Sequence, residues 1–88
     1  MTNELYVLNQ VQISASDYNR NGYFQTYLFR DRQEADKHLR TLRKDTLSEL
    51  DRLKCNFDIY AESADKFHVA WDSDLEMTII TLKKQTIA

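Results

Sequence analysis

Apolar and polar positions alternate with period two through the C-terminal third of the chain. Phe57, Ile59 and Ala61 alternate with Asp58, Tyr60 and Glu62. Phe67, Val69 and Trp71 alternate with His68, Ala70 and Asp72, and Leu75, Met77 and Ile79 with Glu76 and Thr78. This pattern predicts three strands with one buried face. A loop of Ser63, Ala64 and Asp65 sets Glu62 opposite Lys66, Ala61 opposite Phe67, Ile59 opposite Val69 and Phe57 opposite Trp71. A second loop, Asp72, Ser73 and Asp74, sets Trp71 opposite Leu75, Val69 opposite Met77 and Phe67 opposite Ile79. In that register every apolar residue of the three runs falls on one face. Ile80 and Leu82 then break the parity, so the last strand is apolar on both sides.

Leu5, Val7, Val11 and Ile13 share one parity and predict a first strand over residues 4–14. Residues 14–22 are polar and turn-forming. Residues 23–29, rich in aromatics and containing Thr26, predict a second strand whose buried parity is open between Phe24, Leu28 and Tyr23, Tyr27, Phe29. Either a tight Asn21-Gly22 turn pairing Tyr18 with Gln25 or a longer loop would join the two. The period then changes. Ala35, Leu39, Leu42, Thr46, Leu50 and Leu53 recur every three or four residues, the stripe of an amphipathic helix. Asp31 with Glu34 resembles a capping box and starts the helix near Arg32, while Arg52 and Lys54 suit its C-terminal end.

These elements predict an α+β fold: a two-layer ββαβββ arrangement with one long amphipathic helix on one face of a mostly antiparallel sheet. The expected core is Phe57, Ile59, Val69, Trp71 and Met77 beneath Leu39, Leu42, Leu50 and Leu53. The other face would carry Asp58, Tyr60, Glu62, His68, Glu76 and Thr78, with Ile80 and Leu82. The 88 residues suit one small domain spanning 1–88, and 42% hydrophobic with 30% charged residues is ordinary for a soluble one.

Charge adds a mild asymmetry to a net of −2. Residues 30–54 hold eight Lys/Arg against six Asp/Glu, whereas residues 55–78 hold Lys66 against six carboxylates. The start of the chain lacks the basic and apolar regions of a signal peptide, and no apolar stretch reaches membrane-spanning length. A cytoplasmic location is the expectation. Cys55 is the single cysteine, which excludes an internal disulfide.

Asp17, Asn19, Asn21 and Gly22 resemble the first half of an EF-hand calcium loop, in which alternate oxygens ring the ion. The twelfth position, however, is Leu28 rather than a bidentate Glu, and the flanks read as strands. A polar connecting loop is the preferred reading, with a divalent-cation loop at 17–22 the weaker alternative. Asp72, Asp74 and Glu76 alternate in the same way but fit a turn that bonds to its own backbone. Neither His38 nor His68 has partners for acid–base chemistry, the serines lack a base and an orienting group, and Cys55 reads as a packed small side chain. No catalytic, cofactor or metal residue is assigned, and an enzyme is not expected.

The function expected from the sequence is a non-catalytic protein-interaction domain. It would bind itself, as a homodimer, or a protein partner through the open sheet face or an edge strand, with Tyr60, His68, Ile80 and Leu82 at the contact. The alternative is a nucleic-acid accessory protein using Lys37, Arg40, Arg43 and Lys44 on the solvent side of the helix, where interspersed carboxylates argue for an ordinary solvated face.

Overall fold

A computed structural model describes residues 3–14 and 23–87. In chain order the elements are β1 (Asn3–Ser14), β2 (Tyr23–Phe29), α1 (Arg32–Arg52), β3 (Phe57–Glu62), β4 (Lys66–Trp71) and β5 (Glu76–Ile87). The strands form one antiparallel sheet in the order β2-β1-β5-β4-β3, with α1 against one face, the predicted two-layer α+β fold. β1 and β5 pair from end to end over 12 residues each, which draws the molecule out to 49 × 23 × 17 Å. Gln25 pairs with Gln10 and Tyr23 with Gln12, so the longer connection joins β1 to β2. The 17–22 segment lies outside the described residues.

The helix starts where the sequence placed it. Asp31 is extended (φ −109°, ψ 125°), and its Oδ1 accepts the Gln33 N–H at 3.0 Å, satisfying one of the free donors of the first turn. At the other end Lys54 turns left-handed (φ 56°). Its N–H donates to the Asp51 carbonyl and the Cys55 N–H to the Leu50 carbonyl, both at 3.0 Å. This is a Schellman closure with Lys in the position that glycine favours. It ends the helix short of Leu53, which is more than half exposed rather than part of the core.

Ala35, Leu39 and Leu50 are the buried helix residues, with Leu42 and Leu47 partly buried beside them. They cover Leu8 of β1, Ile80 and Leu82 of β5, and Phe67 and Val69 of β4. The helix axis runs nearest β1, β5 and β2, which leaves β3 at the rim: Phe57 and Ile59 stay exposed and Trp71 is only partly buried. On β2 the open parity resolves with Tyr27 and Phe29 against the core and Phe24 and Leu28 turned away.

Two register shifts correct the expected arrangement of the last strands. The β4–β5 turn uses four residues, Asp72 to Leu75, rather than three. Asp72, Ser73 and Asp74 are all left-handed (φ 54°, 54° and 66°), and the Leu75 N–H donates to the Asp72 carbonyl at 3.0 Å. One extra residue moves every later side chain to the opposite face. Phe67 therefore pairs with Ile80, Val69 with Thr78 and Ala70 with Met77. Ile80 is 0% and Leu82 6% exposed under the helix, so neither is available at an open face. Met77 leaves the predicted core, Ile79 leaves the face predicted to be buried, and Leu75 falls in the turn.

The second shift is a bulge between Ile59 and Ala61. Phe57 faces Trp71 and Ile59 faces Val69 as predicted, but beyond Tyr60 the pairing becomes Ala61 with His68 and Glu62 with Phe67. Glu62 is carried to the helix side, where its carboxylate lies 3.8 Å from Arg43 rather than opposite Lys66.

Candidate interaction surface

The face of the sheet away from α1 can be assembled from strand register alone. Odd-numbered positions of β1 and β5 point there, as do even-numbered positions of β2 and β4. One row across the sheet is Phe24, Val11, Ile79 and His68. The next toward the β4–β5 turn is Ile13, Met77, Ala70 and Asp58. On the other side come Thr26, Asn9, Thr81 and Lys66, and then Leu28, Val7 and Lys83. Thr26 Oγ1 donates to Asn9 Oδ1 at 2.9 Å, closing the polar row on itself.

This face carries the more apolar parity of β1. Leu5, Val7, Val11 and Ile13 look outward, whereas the helix side receives Tyr6, Leu8, Gln10 and Gln12. Phe24 and Leu28 are each 64% exposed, more than any other large apolar side chain among the described residues. No charged residue falls on the outer side of β1 or β2 within the described strands. A single helix cannot reach round a sheet, so this surface has no cover within the described chain.

Tyr60 and His68 lie on this face at the β3–β4 end. Their ring centroids are 5.3 Å apart, and the Tyr60 hydroxyl donates to both carboxylate oxygens of Asp74, at 2.8 and 2.9 Å. That bond to a carboxylate, with burial and the nearby charge of Asp58 adding, pushes the Tyr60 phenol above its ordinary value. His68 Nε2 is buried without a hydrogen-bond partner among the described residues. Of the four contact residues expected from the sequence, then, the fold brings Tyr60 and His68 together and buries Ile80 and Leu82 elsewhere.

The helix side offers a cleft of about 350 Å³ floored by Gln10, Gln12 and Thr78, walled by Trp71 and Leu50, with Asp45 and Glu49 at its lip. Its volume would admit a small molecule. Glu49 is ion-paired to Arg52, and the guanidinium holds its carboxyl below the ordinary range, the opposite of what a general acid needs. The cleft thus presents the amides of Gln10 and Gln12, the Thr78 hydroxyl and the Trp71 ring for contact.

Lys37, Arg40 and Lys44 are exposed along the helix as predicted, while Arg43 is half-buried against Glu62. The same helix pairs Arg32 with Asp36 and Arg52 with Glu49, so its positive charge is partly neutralised in place. His38 packs between Tyr27 and Phe29, at ring distances of 4.4 and 5.4 Å, and serves as part of the core wall. No group of three or more His, Cys, Asp or Glu side chains converges as a metal site among the described residues. No described helix is long and apolar enough to cross a membrane.

Comparison with known proteins gives no family model, no curated protein and no solved structure that matches this chain.

Proposed function

We propose that the protein is a non-catalytic interaction domain that binds protein through the open face of its sheet. The observation that carries this reading is the apolar block of Val11, Ile13, Phe24, Met77 and Ile79 in two adjacent rows on the face opposite the helix, with Val7 and Leu28 beyond the polar row of Thr26, Asn9 and Thr81. A contiguous exposed apolar surface costs solubility unless something covers it, and large ones mark contact sites. Its composition fits an interface: an apolar centre, aromatic rings in Phe24 and Tyr60, and charges confined to the rim. Met77 and Ile79 take the place at this contact that the sequence reading gave to Ile80 and Leu82.

At the β3 edge the strand geometry favours the face over edge pairing as the mode of binding. The β3 edge is interrupted by the bulge at Tyr60, which impairs it as a template for an added strand. A photo-crosslinking residue replacing Phe24, compared with one replacing Lys37 on the helix, tests the reading in living cells. Protein adducts formed at position 24 and not at position 37 are the expected result. Nucleic-acid adducts at position 37 with none at position 24 would replace it with a helix-mediated function.

A further inference from the structure

The open face is electrically polar along the strands as well as apolar. Lys66 and Lys83 mark one end of it, near the β3–β4 loop, because Lys66 pairs with Thr81 and Lys83 lies one row beyond. Asp58, level with Ala70 and Met77, and Asp74, held by Tyr60, mark the other end. Lys66 and Asp58 are both exposed, and neither makes an ion pair among the described residues. Between the two ends lies the row of Phe24, Val11, Ile79 and His68.

From this arrangement, and resting on the reading of the open face as a binding surface, we infer that its occupant is a second copy of this chain. The two sheets pack face to face about a two-fold axis that runs across the strands at the level of Val11 and Ile79. Face-to-face packing allows a two-fold axis either along the strands or across them. An axis along the strands stacks like ends, gathering the lysines of both copies at one end and the aspartates at the other with none opposite an unlike charge. An axis across them reverses the partner, which sets Lys66 of one copy over the Asp58 end of the other, twice by symmetry. With the axis at the Val11 row, the apolar centre meets itself. The row of Thr26, Asn9 and Thr81 then faces the row of Ile13, Met77 and Ala70, with room at the rim for the Lys66 side chain to reach across.

With the axis at the Val11 row the staggered strands overlap their counterparts mainly along β1 and β5, which at strands about 4.8 Å and residues about 3.4 Å apart gives roughly 400 Å² per copy and about 800 Å² in all, the size of a weak, transient contact. An interface of that size is expected to be reversible rather than obligate, and its orientation should depend on the end charges.

Sedimentation equilibrium of the full chain from about 1 to about 100 micromolar tests the inference over the range in which a modest dimer dissociates. The parent should sediment as a concentration-dependent dimer, and Val11→Glu should be monomeric with an unchanged circular dichroism spectrum, since its side chain lies outside the core. Lys66→Glu and Asp58→Lys should each weaken the dimer about tenfold, because each creates two like-charge contacts by symmetry. The double variant should recover to within about threefold of the parent. A dimer indifferent to all these charges, or one whose double variant is the weakest, would overturn the reversed arrangement. A parent that stays monomeric throughout would exclude the second copy, while adducts at position 24 with a different protein would leave the wider reading standing.

Discussion

The register of β5 decides which residues hold the fold together, and substitutions at two consecutive positions test it. Ile80 is fully buried among Phe67, Leu82 and the helix stripe, whereas Ile79 lies on the open face. Ile80→Ala removes three buried carbons, worth about 2.4 kcal/mol at roughly 0.8 kcal/mol each. If roughly 40 Å³ of the vacated space stays open, the cavity adds about 1 kcal/mol at roughly 24 cal/mol per Å³. The total, near 3.4 kcal/mol, is a large share of the roughly 5–15 kcal/mol that keeps a small domain folded, and corresponds to a fall in Tm of about 15–25 °C. Ile79→Ala, which empties no closed cavity in the monomer, should cost no more than about 1 kcal/mol. The assay is urea unfolding followed by tryptophan fluorescence from Trp71. It should be run at the lowest workable concentration so that association does not stabilise the parent, with the slope m compared across variants. Equal losses at the two positions, or a larger loss for Ile79→Ala, would refute the assigned register and return Met77 and Ile79 to the core.

Lys54→Gly and Ser73→Gly each relieve a left-handed non-glycine residue and should raise stability by about 0.5–1 kcal/mol in the same assay; a loss at either would show that its backbone is not left-handed in solution. Tyr60 contributes pH-dependent stability of definite sign. Its folded phenol titrates above the ordinary value of 10.0, so the contribution is complete below that value and is lost as pH rises through the higher folded one. Tyr27, raised mainly by burial, behaves in the same sense. Thermal melts between about pH 9 and 11.5 should therefore show a falling Tm that is shallower in Tyr60→Phe, and an unchanged slope would exclude the Tyr60–Asp74 bond. Asp74→Asn, which leaves the hydroxyl a neutral acceptor, should flatten the profile in the same direction.

Local pattern was enough to delimit the elements. The helix began at Arg32 because Asp31 is an intrinsic cap and the Leu stripe has a period that no strand can present to one side. The hairpin strands were visible as alternation, and Phe57 with Trp71 and Ile59 with Val69 paired as expected, although Glu62 pairs with Phe67 beside the turn and the bulge alone restores the expected register. The two-layer arrangement followed because one helix and one sheet each need a single apolar face to be covered. Tyr60 and His68 were legible as outward-facing for the same reason.

Which face of β5 is inside was not legible, because Met77 and Ile79 on one parity and Ile80 and Leu82 on the other are equally apolar. Only a turn one residue longer, built on three left-handed residues without a glycine, chose between them, and that backbone has no strong signature in Asp-Ser-Asp. The bulge at Tyr60 was equally silent. Its effect on Glu62 depends on Arg43 lying across the layer, a neighbour remote in the chain. The strand order decided the rest. β5 between β1 and β4 sets Ile80 and Leu82 under the helix and Met77 and Ile79 on the open face, and β1 turning Leu5, Val7, Val11 and Ile13 away from the helix extends that apolar face. Sequence periodicity records that a residue has a face, but only packing between distant segments determines what that face meets.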